Sequence, residues 1–252
     1  MAMSTEPSAS LSHLHSADGS ATFSQNGYTV IGAVNGPIEV QRRDELPEEA
    51  AVDIVVRPAA GVGGTRERHL ESILQSTLRQ IILTHNFPRT LIQITLQITK
   101  TPKNEAAASK VVQASSHLAV LPVLLQTALL TLLSASLPLS MVLTSTLIAI
   151  SADDNSASLI QNPNLTEYEN AKSIHVLAFT SQGDLLLAES QGSFDLKDWD
   201  KVYETAKKVC LSTQDDADMQ GGASLEEKTG SMLGFVKSVM EEKVAQDLHW
   251  HR

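Results

Sequence analysis

A glycine-rich loop, two adjacent aspartates, eight histidines and a single cysteine are the residues of this chain whose types could do chemistry. Gly61-Val62-Gly63-Gly64-Thr65 has the small residues that let a backbone approach a phosphate. It completes neither G-x-G-x-x-G nor G-K-[ST], so it reads as a plain flexible loop. Asp153-Asp154 could act as paired carboxylates, but on a Ser- and Asn-rich turn the pair reads as solvated. The histidines show neither HExxH nor paired Cys/His spacing, so no metal site is expected. His249 and His251 flank Trp250 at a C-terminus expected to fray. No G-x-S-x-G elbow marks a serine nucleophile. Cys210 falls on an apolar helical stripe and reads as core; alone it forms no intramolecular disulfide. These residues by themselves call for no cofactor and outline no active site.

Charge narrows the partners. The net charge of −10 argues against a general nucleic-acid binder, whose affinity rests on neutralised phosphates. Seven of the eight arginines lie between Arg42 and Arg89, whereas the chain after Ile150 has nine basic and eighteen acidic residues. A polyanion would therefore meet a local patch in the first half, not a global field.

The elements that must position such a patch surround Val111–Ala152, forty-two residues without Asp, Glu, Lys or Arg. Leu118–Ser136 reads as a buried helix, Pro138 as a break, and Met141–Ile150 as a buried strand. No basic residues flank the run as membrane anchors would, so it reads as the centre of a globular core. Before it, residues 1–17 read as a disordered tail without a secretory signal, which leaves cytoplasm or nucleus. Tyr28–Val34 and Ile38–Gln41 read as a hairpin about the Asn35-Gly36-Pro37 turn. Ala51–Arg57 is a strand closed by Pro58, and Thr65 caps a helix striped by Leu70, Ile73, Leu74, Leu78, Ile81 and Ile82. Ile92, Ile94, Leu96 and Ile98 alternate along one face of a further strand. Thr101–Lys110 is a polar excursion.

In the second half, Ser158–Gln161, Ile174–Phe179 and Leu185–Glu189 read as short strands, the last two joined by Ser181–Asp184. Asp195 and Asp198 open a helix striped by Trp199, Val202, Tyr203, Ala206, Val209 and Cys210. Residues 212–224 read as an acidic linker and 225–252 as a terminal helix with Met232, Phe235, Val236, Val239, Met240 and Val244 on one face. The class is α+β, with mixed sheets packed against helices.

The order and wording of these segments resemble a known family. Asp18–Val40 (DGSATFSQNGYTVIGAVNGPIEV), the Gly-rich loop, TRERHLESIL, FPRTLIQITLQI, the apolar helix and LPL are similar to the RNase PH family. NPNLTEYENAKSIHVLAF, DLLLAES and QGSF continue the match, which spans about residues 18–211. Within that family the chain most resembles the RNase PH-like ring subunits of the eukaryotic RNA exosome.

The resemblance implies an RNase PH-like domain of the ribosomal protein S5 domain 2-like fold. It implies other RNase PH-like exosome subunits in a hexameric ring, S1/KH cap subunits, RNA passing through the ring, no membrane, and residence in nucleus, nucleolus and cytoplasm. Phosphorolytic members use paired aspartates and a Gly-Gly-Thr-Arg-like phosphate loop. Here the aspartate segment reads Asn162-Pro163-Asn164-Leu165-Thr166-Glu167-Tyr168, and Ser115-Ser116-His117-Leu118 stands before the central helix. An amide is neither a charged cation ligand nor a base, and without a guanidinium the phosphate lacks a bidentate partner. No catalytic residue is therefore expected, and the chain reads as scaffold for 3′–5′ RNA processing and degradation. The alternative is an active phosphate-dependent exoribonuclease with displaced groups at Asp153, Asp154 or Glu167. The family places the loop Pro58–Arg66 near the channel mouth, which makes Arg57, Arg66 and Arg68 candidates for RNA contact. Pairing of Arg66 and Arg68 with Glu67 or Glu71 is the competing expectation.

Overall fold

The computed structural model describes residues 6–102, 117–151, 158–211 and 231–249. The chain divides into two compact units, Met1–Val142 and Leu143–Arg252.

The first unit is a five-stranded sheet carrying two helices. Its strands are β1 (Ser8–Leu11), β2 (Gly19–Gln25), β3 (Tyr28–Glu39), β4 (Ala51–Arg57) and β5 (Thr90–Lys100), in the order β1-β2-β3-β5-β4. All neighbours are antiparallel except β4 and β5, which helix α1 (Thr65–Ile81) connects as a parallel crossover. Strand β5 shows why the alternation is diagnostic. Ile92, Ile94, Leu96 and Ile98 are buried while the Gln and Thr between them are not. The stripe expected of α1 is buried from Leu70 to Ile81, and Ile82, also buried, lies just past the helix end.

Helix α2 (His117–Ser134) lies against β2 and β3. Close approach there depends on Gly32, because a Cβ at that position would come within 2.5 Å of Thr131 Cγ2. Leu121, Leu124, Leu125 and Leu129 of α2 are fully enclosed. No helix among the described residues is long and apolar enough to cross a membrane. Pro138 lies past α2, as expected of a helix stop, although Pro122 is accommodated inside the helix.

The second unit has β6 (Leu143–Ser151), β7 (Leu159–Gln161), helix α3 (Leu165–Glu169), β8 (Ala171–Thr180), β9 (Leu185–Gly192) and helices α4 (Leu196–Leu211) and α5 (Met232–Asp247). Its sheet runs β7-β6-β8-β9, antiparallel throughout. Val202, Ala206 and Cys210 of α4 pack with Ile148, Ile150, Leu177 and Phe179 of the sheet. That arrangement places Cys210 in the core as its stripe required, and burial pushes its thiol up to about 12. On α5 only Met232 and Val236 of the expected face are buried, and Val244 is exposed.

Three expectations need correction. Residues 8–11 lie inside the segment expected to be a disordered tail, yet they form β1 along the open edge of β2. Edge pairing uses backbone groups and needs no apolar alternation, so Ser-Ala-Ser-Leu left no signal. Asn35-Gly36-Pro37 is not a turn between strands. It lies within β3, at a register shift against β5, with the Gly36–Pro37 bond cis. The hairpin is formed instead at Asn26-Gly27, whose φ angles of 51° and 79° suit that dipeptide. Finally, Thr65 is the first helical residue, and Gly64 is the cap. The acidic linker 212–224, most of the Thr101–Lys110 excursion and Asp153-Asp154 lie outside the described residues.

Candidate nucleic-acid interface

The β4–loop–α1 unit places the three candidate arginines around one exposed loop. Arg57 is the last residue of β4, and Arg66 and Arg68 lie in the first turn of α1. Arg57 and Arg68 are exposed, and Arg66 is half-buried. The loop between them is anchored at its base, where the Gln97 amide donates to the Pro58 carbonyl at 2.9 Å. Its tip carries Val62, 96% exposed, beside Gly61 in the left-handed region at φ 84°.

The carboxylates next to these arginines bind backbone. Glu67 Oε2 accepts from the Gly64 N–H at 2.6 Å, so it takes the N-terminal donor of α1 that an anion would otherwise use. Glu71 Oε1 accepts from the Val56 N–H at 2.9 Å. Arg43, Arg79 and Arg89 each pair with a carboxylate, Asp44, Glu49 and Glu45 respectively. Among the described residues neither Arg57 nor Arg68 has such an ion pair. Arg42 shares that condition on the segment after β3, a position the sequence argument passed over. An exposed guanidinium not held by a carboxylate is what a phosphate backbone can recruit.

The segment expected to carry catalytic carboxylates has a different use. Asn162 takes φ 49°, which an Asn tolerates, and its N–H donates to the Leu147 carbonyl at 2.9 Å. Asn164 is the cap of α3, and its N–H donates to Glu167 Oε2 at 2.8 Å. Tyr168 is buried. Glu167, one of the displaced groups considered above, therefore closes a helix turn. Ser115 and Ser116 lie outside the described residues.

One titratable residue escaped the sequence argument. His175 on β8 is fully buried, bonded through Nε2 to Ser173 Oγ at 3.0 Å and through Nδ1 to Ser190 Oγ at 2.8 Å. The rings of Phe194 and Trp199 stand edge-on to it at 4.7 and 5.7 Å. Burial holds this imidazole below its ordinary value, against the pull of Asp198. Both nitrogens are occupied by hydroxyls, so the ring serves as a structural polar core. Among the described residues no cluster of His, Cys, Asp and Glu could hold a metal ion.

Comparison with known proteins places this architecture. Residues 6–140 match the model of the 3′ exoribonuclease family, domain 1, known as RNase PH. The exosome complex component RRP46 of Saccharomyces cerevisiae is 35% identical over 199 residues, covering 77% of this chain and 85% of the yeast protein. The crystal structure of rice (Oryza sativa) Rrp46 superposes with a TM-score of 0.67 at 25% identity, over 79% of this chain and 86% of that one. A chain of the Archaeoglobus fulgidus exosome shares the fold, with a TM-score of 0.63 at 12% identity over 81% of this chain and 84% of its own. The family match spans most of the first unit, and the yeast relative extends the likeness well beyond it. The chain belongs to the RNase PH family and resembles its RRP46 exosome components.

Proposed function

We propose that the chain is a non-catalytic ring subunit of an RNA exosome. It helps to thread RNA to associated ribonucleases that process and degrade it from the 3′ end, ribosomal RNA included. Its partners are other RNase PH-like subunits in a hexameric ring, S1/KH cap subunits and RNA, and its place is the nucleus, nucleolus and cytoplasm. The observation that carries the non-catalytic part is the Asn162–Tyr168 segment. There Asn162 is a left-handed residue, Asn164 caps a helix, and the carboxylate of Glu167 accepts from the Asn164 N–H. A general base must reach its substrate proton, and Glu167 is held by Asn164 instead.

The test is a phosphate-dependent nuclease assay on the purified chain, alone and with its partner subunits. The expected outcome is no phosphorolysis attributable to this chain. Release of nucleoside diphosphates that disappears on Glu167→Gln or Asp154→Asn would replace this reading with an active phosphate-dependent exoribonuclease.

Arg57, Arg66 and Arg68 are the proposed RNA contacts. Their support is the shared loop, on which Arg57 and Arg68 are exposed and, among the described residues, outside the ion pairs that hold Arg43, Arg79 and Arg89. Contacts of this kind position RNA by its phosphates and carry no sequence information.

A further inference from the structure

The buried imidazole of His175 joins four segments of the second unit at one point. On its own strand it bonds Ser173, and across the ladder to β9 it bonds Ser190. Against it stand the rings of Phe194, from the connection after β9, and Trp199 of α4. Those two rings lie 6.1 Å apart, centroid to centroid. His175 and Ser173 are buried, whereas Phe194 is 38% exposed and Trp199 is half-buried. One layer of aromatic side chain therefore stands between the imidazole and water.

The serine pair complements a neutral ring. A neutral imidazole has one N–H donor and one acceptor nitrogen, and a hydroxyl can serve either. Proton uptake makes both nitrogens donors, so the serine that donated to the ring must turn its hydrogen elsewhere. Among the described residues neither hydroxyl has another hydrogen-bond partner, and Ser173 is buried. A charge gained here thus loses its hydration and strands a hydroxyl as well.

The neighbouring charges do not relieve this while the cover is closed. Ile148 of β6 and Ser190 of β9 stand opposite His175 in register, and neither ionises. Glu189 of β9 pairs with Val176 and so lies on the other face of the sheet. Asp198, in the first turn of α4, is the carboxylate whose field favours the charged ring. Asp195, Lys197 and Lys172 in the adjoining segments are exposed. Among the described residues no ion pair holds His175.

We propose that the Phe194 and Trp199 cover is an acid-operated latch: protonation of His175 opens it at the junction of β9 and α4 while the rest of the second unit stays folded. Opening admits water to the imidazolium and gives both serine hydroxyls a solvent partner. It leaves the ladder between β8 and β9 in place, because that ladder is made by backbone groups that the proton does not touch. Loss of the proton restores the complementary serine pair and closes the cover.

The experiment is hydroxyl-radical footprinting read by mass spectrometry on the full chain, across pH 7 to 5. Oxidation of Trp199 should rise about threefold as the pH falls. Phe179, fully buried in the same unit, should stay unlabelled. His175→Gln keeps an amide donor and acceptor for the two serines and takes up no proton, so it should hold Trp199 at its neutral level throughout. Asp198→Asn removes the carboxylate that favours the charged ring, so it should move the midpoint of the rise to lower pH. Should His175→Gln misfold, the Asp198→Asn midpoint decides, and one that does not move overturns the latch. An equal rise in a folded His175→Gln chain assigns the opening to another group. Labelling of Phe179 in step with Trp199 replaces the latch with unfolding of the whole unit. A wild-type chain whose Trp199 labelling stays flat to pH 5 has no latch.

Discussion

Among the described residues, His175 is one whose burial ties stability to pH. Its folded pKa is depressed by burial, so the unfolded chain binds the proton more readily. Stability contributed by the neutral ring is complete above the ordinary value of 6.5, is lost as pH falls below it, and levels off below the folded pKa. Thermal melts across pH 7 to 5 should show this decline, and His175→Gln should flatten it. An equally steep decline in the variant would assign the effect to another group. Cys210 behaves in the opposite sense. Its thiol stays protonated until about 12, so alkylation at neutral pH should report unfolding of the second unit and not surface reactivity. Labelling of the native chain as fast as of the denatured chain would contradict that.

At the scale of elements, α2 meets β2 and β3 at a close joint lined by Gly19 and Gly32. Gly32→Ala places a methyl 2.5 Å from Thr131 Cγ2 and 2.9 Å from Thr127 Cγ2, closer than packed carbons tolerate. The expected cost is about 1–3 kcal/mol, as for other overpacked cores. Thr131→Ser should recover part of it, which a double-mutant cycle in urea measures. Deletion tests the same helix from the other direction. Leu125 is fully buried, so Leu125→Ala should cost about 2–5 kcal/mol by the transfer and cavity terms. A midpoint unchanged in either series would mean that α2 can shift to absorb the change.

For the whole molecule the decisive property is assembly. An open β9 edge and a half-covered α5 predict that the isolated chain is prone to aggregate and that co-expression with RNase PH-like partners stabilises it. Size-exclusion chromatography with light scattering would detect the difference, and a stable monomer indifferent to its partners would contradict it. Replacing Arg57, Arg66 and Arg68 together with Ala should leave assembly intact and weaken RNA capture, most at low salt where phosphate contacts count most. Unchanged RNA affinity in the triple variant would withdraw the three arginines from the site.

Strand β5, helix α1 and the central helix-break-strand were legible in the sequence because each buries one regular stripe, and burial is written residue by residue. Family membership was legible for a similar reason: GPIEV and FPRTLIQITLQ keep their order whatever they contact. Edges and turns were not. Asn26-Gly27 and Asn35-Gly36 are the same dipeptide, yet the first turns the chain and the second lies within a strand. The difference is β5, which pairs with β3 on both sides of Asn35-Gly36 and holds it extended across the register shift. In the same way β1 is a strand only because β2 offers an edge, and Glu71 caps β4 only because α1 lies alongside it. The sequence alone determined which stripes of β5, α1 and the central run are buried and to what family the chain belongs. Tertiary structure alone decided which backbone groups find partners, because hydrogen bonds between strands are made by backbone atoms common to all residues.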